Sequence, residues 1–123
     1  MNMYTNEVIK RFKKPKFMGE MRNPDGIGKV GNPTCGDLMH IFIRVEDEVI
    51  KDVKFQTFGC VAAIASSDAL CELAKGKTLK EAKKIKDKHI VEKLGDLPPI
   101  KHHCSILGAD ALKEAIKDYE KKR

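Results

Sequence analysis

Residues 38–58 read LMHIFIRVEDEVIKDVKFQTF, and their apolar side chains recur with a period of two. Met39, Ile41, Ile43 and Val45 fall on one face, and His40, Phe42 and Arg44 on the other. Such alternation marks a half-buried β-strand. Three acids, Glu46, Asp47 and Glu48, interrupt the pattern as a hairpin turn would, and Val53, Phe55 and Thr57 resume it between Val49 and Phe58. Two antiparallel strands are therefore predicted. Past Gly59 the period becomes helical: Ala62, Ala65, Ala69, Leu70 and Leu73 form one stripe, and Gly76 is a natural stop.

Upstream, Thr5, Val8, Ile9 and Phe12 have helical spacing, which Pro15 closes. The glycine- and proline-bearing stretch from Gly19 to Pro33 reads as loop with room for one short strand. Downstream, Thr78 and Glu81 match a capping box, and Leu79, Ala82 and Ile85 continue that helix. A short helix from Lys88 to Leu94 ends at Gly95, Pro98 and Pro99 enforce an extended segment, and Leu112, Ala115, Ile116 and Tyr119 define a last amphipathic helix. Strands precede helices, which predicts an α+β fold. A chain of 123 residues is too short for two cores, so residues 1–123 are expected to be one domain.

Composition excludes several classes. No apolar run is long enough for a bilayer, and the first twelve residues lack a signal-peptide core, so a cytoplasmic protein with no membrane association is expected. The net charge of +6 raises the question of nucleic acid, but aromatics make up 6% of the chain and are not interleaved with the lysines. A solvated lysine- and glutamate-rich surface suited to an acidic protein partner is the better reading, with no nucleic acid bound. Neither the H-x-E motif of zinc deaminases nor an H-E-x-x-H helix is present.

Four cysteines remain, at 35, 60, 71 and 104. Without a sign of secretion, metal or thiol chemistry is the default over disulfides. Cys35 precedes the first strand of the hairpin, Cys60 lies where the second gives way to a helix, and Cys104 falls just before the last helix. Loops beside rigid elements are where ligands sit, and a helix N-terminus favours thiolate. Cys71 lies eleven residues beyond Cys60 on one helix, about 16 Å away, which is too far for a shared small site. It reads as a buried structural residue. Asp37 and His103 neighbour two of the other cysteines and offer an oxygen and a nitrogen donor. Each also has a plainer role, Asp37 as a turn residue and His103 as a helix cap or hydrogen-bond donor to a ligand.

Four segments in order, Cys35-Gly36-Asp37, Gly59-Cys60 with Ala63-Ile64-Ala65-Ser66-Ser67, Leu97-Pro98-Pro99-Ile100-Lys101, and His103-Cys104-Ser105-Ile106-Leu107, resemble the motifs of the IscU family of iron–sulfur cluster assembly scaffolds, also found as the NifU N-terminal domain. The resemblance runs from near Tyr4 to the C-terminal helix. It implies a small antiparallel sheet of about three strands packed against helices, and a carrier role with no enzymatic turnover. It further implies that Cys35, Cys60 and Cys104 take sulfur from a cysteine desulfurase and hold a transient 2Fe–2S cluster for transfer to apo iron–sulfur proteins. Asp37 would keep the site exchangeable, and His103 is the other non-thiolate candidate. Leu97, Pro98, Pro99, Ile100 and Lys101 match the segment gripped by an Hsp70-type chaperone, which works with a co-chaperone. Tyr4 matches a tyrosine implicated in self-association, so a homodimer is a further implied partnership.

The chain departs from the family pattern at Val61-Ala62, where small Gly/Ser-type residues are usual, and at His102, which replaces an aliphatic neighbour. The competing reading is a SufU-like sulfur acceptor holding zinc on the same fold. That branch carries an insertion before the last cysteine and lacks the adjacent histidine; here the interval is uninserted and His103 is present, which favours the IscU branch.

Overall fold

A computed structural model of the chain describes residues 5–32, 37–57, 61–95 and 102–122, with the backbone alone described at 32, 37, 102–105 and 107. Within it, the period-two stretch forms the hairpin that its pattern predicts. One antiparallel sheet contains β1 (Gly26–Asn32), β2 (Asp37–Glu46) and β3 (Val49–Thr57) in the order β1-β2-β3. The turn between β2 and β3 is Asp47-Glu48, with φ of 53° and 64°. Left-handed backbone at both positions gives a two-residue turn whose twist matches its strands.

The two strands keep one face buried by way of a register shift. Met39, Ile41 and Ile43 of β2 are at most 1% exposed. On β3 the buried positions are Ile50, Val53, Phe55 and Thr57, so the first gap is three residues rather than two. A bulge explains the irregularity: Arg44 pairs with Asp52, but Val45 pairs with Ile50, leaving Lys51 unmatched. The extra residue returns Ile50 to the core face.

Among the described residues five helices accompany the sheet: α1 (Asn6–Lys13), α2 (Val61–Ala74), α3 (Leu79–Ala82), α4 (Asp87–Lys93) and α5 (His102–Lys122). Thr5 caps α1, its hydroxyl accepting the Val8 N–H at 3.2 Å. The capping box of α3 forms as predicted between Thr78 and Glu81. That helix is shorter than its periodicity predicts, because the N–H groups of Lys84 and Ile85 bond three residues back, to Glu81 and Ala82. Tightening of this kind ends a helix, yet Ile85 still reaches the core. Gly76 and Gly95 end their elements at φ of 86° and 90°. α2 is the central helix. Ten of its fourteen residues are buried, and it is built mainly of small side chains that let neighbours approach on several sides.

The stretch that reads as loop from Gly19 to Pro33 contains β1, the element least visible in sequence. Its glycines lie under α5: a Cβ on Gly28 would fall 1.9 Å from the Ala111 carbonyl oxygen, and one on Gly26 2.3 Å from that of Ala115. Helix backbone therefore occupies the space where strand side chains would stand. The preceding segment runs along the far side of the sheet, where Phe17 accepts the Phe55 N–H and Gly19 donates to the Phe55 carbonyl. At the other end of β3, Gly76 donates to Ile50, Ile50 to Lys77, and Leu79 to Glu48. The Ile27 N–H of β1 is taken by the Asp118 carboxylate of α5 at 2.9 Å.

Candidate functional site

The described residues that flank the cysteine-bearing connections lie at one end of this fold. Asn32 pairs with Asp37 at the end of the β1–β2 ladder, and Met39 pairs with Thr57, so the end of β1, the start of β2 and the end of β3 lie together. The first half of α2 covers the same end, since the Ser67 hydroxyl donates to the Ala63 carbonyl and lies 2.9 Å from the Met39 sulfur. α5 runs antiparallel to β1, with Ala115 over Gly26 and Ala111 over Gly28, which directs its first turn toward the end of β1.

Cys35 belongs to the connection at 33–36 and Cys60 to that at 58–60, and both lie outside the described residues. Asp37 is the first residue of β2. His103 and Cys104 are the second and third residues of α5. That corrects the expectation that Cys104 precedes the last helix: α5 begins at His102, in a stretch too polar to show a helical stripe. For Asp37, His103 and Cys104 the backbone is described and the side chains are not. Leu97, Pro98, Pro99, Ile100 and Lys101 lie outside the described residues, as does Tyr4.

Two helix N-termini lie at this end, beside the start of β2 at Asp37. α2 and α5 both begin there, and neither has an acidic residue in its first turn. The partial positive charge of each N-terminus is thus not neutralised by its own side chains, a setting that lowers thiol pKa values. Cys60 directly precedes α2, and Cys104 sits within the first turn of α5.

Cys71 behaves as its position on α2 predicts. It is fully buried, and burial, aided by the nearby Asp68 charge, pushes its thiol well above the ordinary range. It is a packing residue. His40 and His89 are partly exposed, His40 edge-on to Phe42 at 6.5 Å and His89 accepting the Lys86 N–H through Nδ1. Among the described residues no group of three His, Cys, Asp or Glu side chains is placed to hold a metal ion.

Sequence reasoning missed the clasp that holds α1 and the following segment to α2. Asp68, 1% exposed, accepts from the Arg11 guanidinium at 2.8 Å and from the Lys16 and Phe17 N–H groups at 2.7 and 3.0 Å. Arg11 also reaches Glu72 at 3.1 Å, and Glu72 binds Lys93 of α4 at 2.6 Å. Burial opposes the Arg11 charge, but Asp68 and Glu72 outweigh it and raise its pKa. Lys93 and then Arg11 hold the Glu72 carboxyl below its usual range. The available signal was the pair Asp68 and Glu72, two carboxylates four residues apart in an otherwise Ala/Ser/Leu-rich helix.

Comparison with known proteins agrees with this architecture. The profile of the NifU-like N terminal domain matches residues 3–123. An Archaeoglobus fulgidus protein described as iron–sulfur cluster assembly scaffold protein IscU 1 is 54% identical over 120 residues, covering 98% of this chain and 78% of that one. The Escherichia coli K12 scaffold protein IscU is 49% identical over 124 residues, covering 98% and 96%. Among solved structures, a NifU-like N-terminal protein from Brucella abortus superposes with a TM-score of 0.76 at 20% identity, covering 98% and 96%, which supports the fold. The match extends over nearly the whole chain, and the chain is an IscU-type member of the NifU-like N-terminal domain family.

Proposed function

We propose that the protein is a scaffold on which a labile 2Fe–2S cluster is assembled from iron and desulfurase-derived sulfur and then passed to apo-proteins. The observation that supports this reading is that the described strand ends flanking Cys35 and Cys60 lie at the end of the sheet toward which the first turn of α5, with Cys104, is directed. Its relatives' description as cluster assembly scaffolds supports it.

In this reading Cys35, Cys60 and Cys104 supply thiolates to the cargo, and Asp37 or His103 supplies the fourth donor. Stable clusters are generally held by four thiolates. A carboxylate is a harder and poorer match to sulfur-bridged iron, so a three-thiolate site holds its cargo firmly enough to build it and loosely enough to release it. The segment Leu97 to Lys101 would be the handle for an Hsp70-type chaperone and its co-chaperone, and the protein would work in the cytoplasm. Among the described residues no helix is long and apolar enough to cross a membrane.

The test is anaerobic reconstitution with iron, cysteine and a desulfurase, followed by incubation with an apo-ferredoxin. A 2Fe–2S absorption spectrum that fades as the ferredoxin matures is the expected result. Retained zinc with sulfur uptake and no cluster would replace the proposal with the SufU-like sulfur acceptor.

A further inference from the structure

Two hydroxyls brace the end of the fold from which the connections bearing Cys35 and Cys60 depart. Thr57, the last residue of β3, is 7% exposed, and its hydroxyl donates to the Leu38 carbonyl at the start of β2 at 2.6 Å. Ser67 of α2 is fully buried and donates to the Ala63 carbonyl at 2.7 Å. It also rests 2.9 Å from the sulfur of Met39, the residue that pairs with Thr57 across the strands. Side chains therefore fix β2, β3 and the first half of α2 to one another at this end, in addition to the strand ladder.

The sequence puts the first of these bonds where a ligand site would use it. Cys35 lies three residues before Leu38, and Cys60 three residues after Thr57. The bond thus joins the two points from which the chain departs toward these cysteines. Packing does not require a hydroxyl here, since Val53 and Phe55 hold the neighbouring buried positions on the same strand face and valine has the shape of threonine. A single neutral hydrogen bond adds little net stability, because water takes its place in the unfolded chain. What it supplies is a fixed distance. Metal–ligand bonds tolerate errors of about 0.2 Å, and groups that hold the ligands from behind change metal affinity about 10–100-fold.

We propose that Thr57 is a positioning residue for the metal and cluster site: its hydroxyl, held on the Leu38 carbonyl, sets the separation of the connections that bear Cys35 and Cys60. The proposal rests on the reading of those cysteines as ligands of the cargo. Thr57 acts through the backbone and is not itself a ligand.

The experiment titrates the reduced protein anaerobically with cobalt(II), which reports thiolate ligation by charge-transfer absorption and ligand geometry by its visible bands. Thr57→Val removes the hydroxyl and keeps the branching, Thr57→Ala removes it without adding bulk, and Thr57→Ser restores it. Ile50→Val, toward the other end of β3, lowers stability and leaves the bond intact. Both hydroxyl-free variants should bind cobalt about tenfold more weakly than the parent and show altered visible bands. Thr57→Ser should recover, and Ile50→Val should match the parent, although Thr57→Val and Ile50→Val each lower the urea midpoint by about 0.5 M. Parental affinity and spectrum in Thr57→Val and Thr57→Ala would overturn the proposal. An equal loss of affinity in Ile50→Val would also overturn it, by reducing Thr57 to a stabilising contact. A parent protein without thiolate-to-cobalt absorption would remove the cysteine-site reading itself, and the proposal with it.

Discussion

Replacing Gly28 by alanine tests the contact that sets α5 on the sheet. The new methyl carbon would stand 1.9 Å from the Ala111 carbonyl oxygen and 2.6 Å from the Ala115 nitrogen. Both obstacles are helix backbone and cannot rotate aside. A tolerable C···O contact is about 3.3 Å, so α5 must retreat by about 1.4 Å or β1 must bend away. Overpacking of this kind costs about 1–3 kcal/mol, and alanine's lower unfolded-state entropy returns at most about 1 kcal/mol. The expected net loss is about 2 kcal/mol, read as a fall of roughly 1 M in the urea midpoint. Gly108→Ala is the matched control. Its Cβ would meet only the flexible end of Leu70, at 3.2 Å, and a helix interior gains about 1 kcal/mol from alanine, so stability should hold or rise. A Gly28→Ala protein as stable as the parent would refute the argument that backbone contact seats α5.

Asp68→Ala removes one of the carboxylates paired with Arg11, which keeps Glu7 and Glu72, and takes the acceptor from two N–H groups, so unfolding in urea should show a loss of about 2–4 kcal/mol, with Asp68→Asn losing less; a loss below about 1 kcal/mol for the alanine variant would show that the clasp is dispensable. Cys71 should resist iodoacetamide in the native protein and react only in denaturant, as peptide mass spectrometry would reveal; native alkylation at the rate of a model thiol would contradict its burial. Glu72 has a folded pKa below its unfolded value of about 4.3, so its ion pairs stabilise the protein above that pH and lose their effect as pH falls through the folded pKa. The stability gap between parent and Glu72→Gln should accordingly close on acidification, and a gap that stays constant from pH 7 to pH 3 would rule out the linkage. On the proposed carrier reading, Asp37→Ala should release its cluster to apo-ferredoxin more slowly than the parent, and faster release would remove Asp37 as the exchange ligand.

Much of the architecture was legible because side-chain period reports on burial. The hairpin, the α2 stripe, the Thr78–Glu81 capping box and the glycine stops are all local patterns with one reading. Helical rise separated Cys71 from Cys60, and the apolar packing of a free cysteine then predicted its burial. β1 was harder to read because its buried face is glycine: the α5 backbone fills the place where an alternating side chain would have signalled a strand. The Lys51 bulge was hidden for a related reason, since one unpaired residue makes a regular buried face look irregular in sequence. The start of α5 was read too late because His102 and His103 carry no apolar stripe. The clasp joins residues 57 positions apart, from Arg11 to Asp68, and no local pattern encodes such a pair. As for the candidate site, its residues could be named from motifs, whereas the gathering of their connections at one end depends on strand register and helix direction.

The borders of the sheet carry a last consequence. Bonds from residues 17–19 and 76–79 occupy β3 toward its two ends, and the Asp118 carboxylate takes an N–H of β1. Open strand borders are templates on which other chains polymerise, and proteins commonly blunt them. Here the blunting comes from connecting segments and one helix side chain, so it depends on tertiary structure, and the share supplied by residues 17–19 is lost whenever α1 and its trailing segment detach. Partners that meet the folded protein must recognise side chains and loops and cannot extend the sheet by a strand along those positions. A partly opened molecule, by contrast, would expose the Phe55 end of β3 as an adhesive border, which ties resistance to aggregation to the integrity of the N-terminal clasp.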